Sequence, residues 1–141
     1  MTPRRIATLA LPLFAGLSAC ALPSGPGAAA PLVGTEWRLV SLGGAAVLDG
    51  VPATLAFPEA GRVAGQGSCN RFFGSYTLVE DRIAFGQMGM TRMACAGGVG
   101  EQENRYMAAL QKAQRVQVDG ARLTLSVDGM AQPLRYVRTQ P

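Results

Sequence analysis

Histidine is absent from this chain of 141 residues. Its absence removes the commonest general base of enzyme catalysis and the usual nitrogen ligand of zinc. Charged residues are also few, at 16%, and aromatic residues make up only 6%. The acidic side chains fall at expected turns, such as Asp119 and Asp128, and at an expected helix start, at Glu101 and Glu103. The sequence therefore predicts no catalytic residue, no cofactor and no metal ion, with hydrolysis by paired carboxylates as the remaining catalytic alternative.

Long apolar runs are missing as well. Residues 6–17 form a short apolar stretch, whereas a helix that spans a bilayer needs about 20 such residues. Arg4 and Arg5 precede the stretch and small residues follow it, which is the pattern of a secretory signal peptide. A buried N-terminal helix is the alternative. We expect residues 1–19 to be a signal peptide.

The segment Leu17-Ser18-Ala19-Cys20 resembles the bacterial lipobox. The resemblance implies that Cys20 carries a diacylglycerol thioether and becomes the new N-terminus, where a further acyl chain such as palmitate is added. Several acyl chains anchor a protein stably, whereas one holds it only reversibly. Ala21 follows in place of the Asp that retains lipoproteins in the inner membrane, so the expected location is the outer membrane, facing the periplasm. Ordinary signal-peptidase cleavage is the alternative.

Residues 20–31 read as the lipidated cysteine and a flexible tether, because Pro, Gly, Ala and Ser cannot bury enough apolar surface to offset their ordering entropy. Residues 32–141 then form one domain. Removing Arg4 and Arg5 from the 13 basic side chains leaves 11 against 9 acidic ones, a net charge of +2. A balance this mild does not indicate a nucleic-acid partner. The expected partners are the membrane, through Cys20, and an unknown envelope protein or component.

Alternation of apolar and polar residues predicts β-strands along most of residues 32–141. Trp37, Leu39 and Ser41 are expected on one face of the first strand. Residues 53–57 repeat the alternation.

The end of the chain predicts three strands and one helix. Asp119 and Asp128 each precede a Gly between alternating segments, which indicates a three-stranded meander, since Gly supplies the positive φ of tight hairpin turns. Residues 101–114 instead place Tyr106 and Leu110 at helical spacing. The predicted fold class is α+β and β-dominated, with a small antiparallel sheet and one amphipathic helix.

Cys69 and Cys95 are the two thiols that remain after lipidation of Cys20. An even pair in an oxidising periplasm favours a disulfide. Two free thiols are the first alternative. A zinc site is the second, but two Cys without any His leave a tetrahedral site short of its usual ligands.

The most specific pattern of the chain surrounds these cysteines. It consists of residues 34–37 (GTEW), residues 65–76 (GQGSCNRFFGSY), residues 91–95 (TRMAC) and then Glu103. It resembles the META domain family, which includes HslJ-like heat-shock lipoproteins, over roughly residues 32–138. Ser68 stands where the family commonly has Gly, which we interpret as a mild departure. The matching residues are Trp37, Gly65, Cys69, Asn70, Phe72, Gly74, Tyr76, Thr91, Met93, Ala94, Cys95, Glu103 and Leu110.

The resemblance implies a partly open, β-barrel-like sheet with one helix, and a link to envelope stress, novobiocin resistance and, in some relatives, motility or secretion. It implies no reaction. Taken by their own chemistry, the glycines suit close backbone packing and Asn70 suits a turn rather than a binding role. The motif aromatics Trp37, Phe72, Phe73 and Tyr76 are most simply core or rim residues, with sugar or lipid binding as the alternative. Met88, Met90 and Met93 are interpreted as core-filling residues, with copper(I) binding as the alternative.

These observations favour a non-enzymatic envelope lipoprotein that binds a protein or envelope component. A carrier of a lipid or small apolar ligand is the second hypothesis, and an inhibitor or pilot module for another envelope protein is the third. The barrel interior discriminates the carrier: side chains such as Trp37, Phe57, Phe85 and Leu125 either fill it or line a cavity. A contiguous exposed apolar patch would favour the third hypothesis.

Overall fold

The computed structural model describes residues 31–139, and the predicted signal peptide, Cys20 and residues 21–30 of the tether lie outside that range. The described chain forms nine strands and one α-helix. In chain order these are β1 (Thr35–Leu42), β2 (Ala45–Ala46), β3 (Thr54–Glu59), β4 (Arg62–Gln66), β5 (Arg71–Val79), β6 (Arg82–Met90), α1 (Gly98–Gln111), β7 (Ala113–Asp119), β8 (Arg122–Val127) and β9 (Leu134–Arg138).

The strands form one antiparallel sheet in the order β2-β1-β3-β4-β5-β6-β7-β8-β9. β1 also pairs with β9, so eight strands close into a barrel and β2 is a short addition to β1. The β-dominated α+β class is confirmed, and the sheet that was expected to be partly open closes through the β1–β9 pairing. The weakest seam of the ring is between β6 and β7, which meet at one registered pair, Arg82 with Arg115.

The barrel interior is filled by large side chains. Trp37, Phe57, Phe85 and Leu125 are all buried, and Phe57 packs edge-on against Tyr76 with ring centroids 5.0 Å apart. Along the strands, apolar side chains that point inward alternate with polar side chains that point outward, as expected for strands with one buried face. By the discriminator set out above, a filled interior disfavours the carrier hypothesis.

The first strand departs from the predicted alternation. Trp37 and Leu39 point inward as expected, but Leu42 rather than Ser41 is the next buried residue. The register with β9 shifts between Leu39 and Ser41. A β-bulge inserts one extra residue, and the side chains beyond it therefore change faces.

The helix also differs in its bounds from the predicted residues 101–114. It begins three residues earlier, at Gly98, and ends at Gln111, because Ala113 pairs with Val127 as the first residue of β7. Tyr106 and Leu110 are buried, as the helical spacing indicated. The C-terminal meander of β7, β8 and β9 is confirmed. Within residues 31–139, no helix is long and apolar enough to cross a membrane.

Candidate functional site

The turn between β4 and β5 and the start of α1 meet at one corner of the barrel. Glu103, on the second turn of α1, points its carboxylate into this turn and is only 6% exposed. Its Oε2 accepts hydrogen bonds from the backbone N–H groups of Cys69 (3.0 Å) and Asn70 (2.6 Å), and its Oε1 accepts one from Asn70 Nδ2 (2.8 Å). The acidic residue that the sequence places near the helix start therefore serves as an acceptor for another segment of the chain.

Asn70 extends the same network to the segment after β6. Its Oδ1 accepts hydrogen bonds from Thr91 Oγ1 (3.0 Å) and from the Met93 backbone N–H (2.6 Å). Its Nδ2 also lies 3.3 Å from the Met93 carbonyl oxygen. Asn70 was expected to bond its own backbone in a turn, with a positive φ tolerated. In the structure its φ is not positive, and its side chain bonds to residues more than 20 positions away. This side chain is buried at the corner, and buried polar atoms are almost always hydrogen-bonded.

The ionisation of Glu103 reflects these contacts. Burial raises the pKa of its carboxyl, but the hydrogen bonds from the Asn70 side chain and from the backbone N–H groups of Asn70 and Cys69 outweigh burial and lower the pKa below its ordinary value of 4.5. Glu103 is therefore a carboxylate at neutral pH. A carboxylate with a lowered pKa and three donors is a poor proton acceptor, so its chemistry is that of a structural anchor.

A covalent bond joins the turn between β4 and β5 to the segment after β6. Cys69 and Cys95 form a disulfide in which the Cα atoms lie 6.1 Å apart, within the range that such bonds require. Both sulfurs are thus bonded to each other and neither is a free thiol or thiolate ligand here. Among the described residues, no group of three or more Cys, Asp or Glu side chains could hold a metal ion.

Gln102 and Ser68 complete the corner, and Gln102 was not singled out in the sequence. Gln102 Nε2 donates to Ser68 Oγ at 2.8 Å, and Gln102 Oε1 accepts from the Leu48 backbone N–H at 2.8 Å. Ser68 has a φ of 133°, a conformation that glycine adopts most readily, so its replacement of the family glycine is less mild than the sequence indicated. The hydrogen bond from Gln102 compensates for part of that strain. No sequence pattern marks Gln102, because its role depends on contacts 34 and 54 residues away.

The motif glycines allow these close approaches. A Cβ at Gly67 would lie 2.8 Å from Glu103 Oε2. A Cβ at Gly65 would collide with the Thr54 carbonyl oxygen and the Phe72 ring. A Cβ at Gly74 would lie 2.9 Å from the Gln87 carbonyl oxygen. Each of these positions therefore needs glycine for packing.

The remaining motif aromatics belong to the core. Trp37, Phe72 and Tyr76 are buried, which excludes them from a sugar- or lipid-binding surface. Phe72 packs against Tyr106 of the helix with ring centroids 6.1 Å apart, and the Trp37 Nε1 donates to Thr35 Oγ1 at 2.7 Å. The motif therefore encodes mainly the inside of the corner.

Other side chains of the same two motif segments point outward. Phe73 is 61% exposed and Met93 is 60% exposed, although both are large and apolar. Arg71 and Arg92 are exposed beside them. Met88 and Met90 pack partly against the core, as the core-filling interpretation predicted, but that interpretation was wrong for Met93, whose side chain lies on the surface. The corner thus holds an exposed apolar and basic surface. Beneath it lies a buried frame, formed by the hydrogen bonds of Asn70 and Glu103 and by the disulfide between Cys69 and Cys95.

Comparison with known proteins places these features in a family. The profile of the META domain matches residues 30–140. An NMR structure of a protein from Burkholderia xenovorans is 28% identical, and the match covers 85% of this chain and 100% of that one with a TM-score of 0.63. A second NMR structure is 30% identical over 73% of this chain and 87% of its own, with a TM-score of 0.59. Among functionally curated proteins, none matches.

Proposed function

The chain belongs to the META domain family, and from that membership we propose that it is a non-enzymatic lipoprotein of the outer membrane that maintains the envelope or protects it under stress. It works by binding a protein or envelope component through its domain surface. The observation that carries this proposal is the use of Asn70, Glu103, Cys69 and Cys95 in contacts with one another. The most reactive side chains of the motif are thus bonded to one another inside the protein. The residues that remain available for function lie on the outward surface.

The proposal that the protein is not an enzyme is supported by the state of these groups. A nucleophile needs a neighbouring base or a lowered thiol pKa, and the domain cysteines are bonded to each other. Tyr106 and Tyr136 form a buried hydrogen bond of 3.3 Å, and burial raises the pKa of both hydroxyls, so both stay protonated. Neither the bonded cysteines nor the buried tyrosines therefore provide a base that a substrate could reach.

Incubation with peptidoglycan, phospholipids and ester substrates is expected to give no turnover. The Arg71→Ala variant is the matched probe, because Arg71 is exposed on the proposed surface and its loss leaves the frame intact. Turnover that copurifies with the protein, and disappears in Arg71→Ala at an unchanged melting temperature, would contradict the non-enzymatic proposal.

The lipid anchor has a direct test in the bacterium. Changing Cys20 to Ser should move the protein from the membrane fraction to the soluble periplasm, because the thioether that carries the acyl chains can no longer form. Ala21→Asp is the control: it should leave the protein membrane-bound but shift it to the inner membrane. Sedimentation of Cys20→Ser with membranes after a salt wash would overturn the anchor.

Among the hypotheses that the sequence left open, the inhibitor or pilot module is the second candidate. It is favoured by the exposed apolar side chains of Phe73 and Met93, which lie on one corner of the barrel. It differs from a general role in envelope maintenance in requiring one protein partner. Sensitivity of a deletion strain to novobiocin, restored by the wild-type gene but not by Cys20→Ser, would support the broader role.

A further inference from the structure

A groove runs along one edge of β6 beside the corner. Two hollows of about 730 and 470 Å³ share Met88 and Met90 in their walls, so they form one continuous depression. The first is completed mainly by Gly89, Arg92 and Met93, and the second by Met107 and Gln111 of α1. The groove therefore lies between β6, the start of the following segment and the helix.

The groove follows the edge of β6 rather than one of its faces. Gly89 pairs with the outward-pointing Phe73, whereas Met90 pairs with the inward-pointing Phe72. Successive residues of a strand point to opposite faces, so walls built from both sets place the groove at the strand's edge. Residues of both sets, Gly89 and Met90, line the larger hollow.

That edge of β6 has no neighbouring strand along most of its length. β6 pairs with β5 from Arg82 to Met90, but it meets β7 only at Arg82. Farther along, the Gln111 side chain donates to the Gly86 carbonyl oxygen at 3.2 Å, where a neighbouring strand would otherwise donate. An edge of this kind presents backbone groups that an added extended chain can pair with.

The walls and rim specify the chemistry of that chain. Among the described residues that line the groove, Arg92 is the only charged one, and the methionines offer a soft, adaptable apolar floor. The Phe73 ring lies over Gly89, since a Cβ there would be 2.7 Å from the ring. Arg71 is held beside Thr91, whose Oγ1 accepts the Arg71 backbone N–H at 3.0 Å. Neither Arg71 nor Arg92 forms an ion pair within residues 31–139.

We propose that this groove binds an extended segment of a partner protein that alternates acidic and apolar side chains and adds a strand to β6. The carboxylates point to the outer face, where they meet Arg71 and Arg92 and their methylene groups pack on Phe73. The apolar side chains point to the opposite face, where they pack on Met88 and Met90. The inference rests on the proposed binding function and names its site and the class of its partner. Positive charge facing a negative segment supplies both specificity and a faster encounter.

The test uses the full mature lipoprotein in detergent and three fluorescent octapeptides, which alternate Glu with Val, Lys with Val, and Glu with Ser. The Glu–Val peptide should bind at least about tenfold more tightly than either of the others, since it alone offers both charge and apolar surface. The double variant Arg71→Glu with Arg92→Glu should reverse the preference between Glu–Val and Lys–Val. Arg135→Glu, an exposed change on β9, is the matched control and should leave the preference unchanged.

Two further arms separate strand addition from other modes of binding. N-methylation of the peptide amides along one edge should abolish binding, while methylation along the opposite edge should preserve it, because a strand pairs through one edge only. Phe73→Ser should weaken the Glu–Val peptide without changing the melting temperature. Equal affinity for the Glu–Val and Lys–Val peptides, or equal effects of methylation on both edges, would overturn the proposal.

Phosphatidylglycerol vesicles provide the last arm, with the Cys20→Ser chain so that no anchor contributes. Binding to these vesicles that is lost in the Arg71 and Arg92 double variant, without binding of the Glu–Val peptide, would assign the surface to the membrane and overturn the peptide site. These outcomes are independent of the anchor: failure of Cys20→Ser to release the protein would contradict the proposed location and leave the peptide affinities unaffected.

Discussion

Replacing Glu103 with Ala is expected to lower the free energy of unfolding by about 3 kcal/mol at pH 7, since each buried donor left without a partner costs about 1–3 kcal/mol. The change removes the acceptor of the Cys69 and Asn70 backbone N–H groups and of Asn70 Nδ2. Asn70 cannot turn to compensate, because its Oδ1 is held by Thr91 and Met93. Urea unfolding of the Cys20→Ser chain measures the loss.

Glu103→Gln is the conservative companion variant. Its amide group would face at least one donor, so we expect a smaller loss, of about 1–2 kcal/mol. Glu101→Gln, on the exposed side of the same helix, is the matched control and should change stability by no more than about 0.5 kcal/mol. Equal effects of Glu103→Gln and Glu101→Gln would contradict the role of the buried carboxylate.

The pH dependence gives the same group a second readout. Because folding lowers the pKa of Glu103, its contribution is fully present above the ordinary value of 4.5 and is lost as the pH falls through the lower pKa of the folded state. Stability of the wild type should therefore decline below about pH 4.5, and the decline should be shallower in Glu103→Gln. Parallel pH profiles would contradict the assignment.

Removing the disulfide is expected to have an effect of similar size. The bond joins residues that are 26 positions apart, and the chain-entropy model gives ~3.5 kcal/mol for a loop of that length. For a domain of this size that corresponds to a fall in melting temperature of roughly 15 °C. The double variant Cys69→Ala with Cys95→Ala should show this fall in a thermal scan.

Reduction of the wild type supplies the control for that variant. The reduced protein should melt close to the double variant, and thiol labelling of the unreduced, denatured chain should find neither cysteine free. Stoichiometric labelling of both cysteines, or a melting temperature that reduction leaves unchanged, would contradict a disulfide in the mature protein.

Local patterns predicted much of this fold. The Asp-Gly turns at Asp119 and Asp128 predicted the meander, because a tight turn leaves a signature in adjacent residues. The bulge that turns Leu42 inward was not predicted, since it depends on the register with β9 at the far end of the domain. The helix start at Gly98 was missed for a similar reason: Gly100 packs against Cys95, and helix propensity gives no warning of such a contact.

The candidate site, like the fold, was predicted only in part. The motif identified Asn70 and Glu103, but their own chemistry suggested a turn residue and a residue at a helix start. Only the fold shows that they bond each other across 33 positions. The free edge of β6 was equally hidden, because its exposure results from the place where β7 rejoins the sheet.

Hydrogen exchange at the Asn70 amide tests most directly whether the motif builds a rigid frame. The Asn70 N–H donates to the buried Glu103 carboxylate at 2.6 Å. If the frame is rigid, this amide should exchange only when the whole domain opens, with a free energy within about 1 kcal/mol of global unfolding. Exchange at nearly the unprotected rate, while the β8 amide of Leu125 stays protected, would show that the corner opens on its own and would contradict its role as a frame.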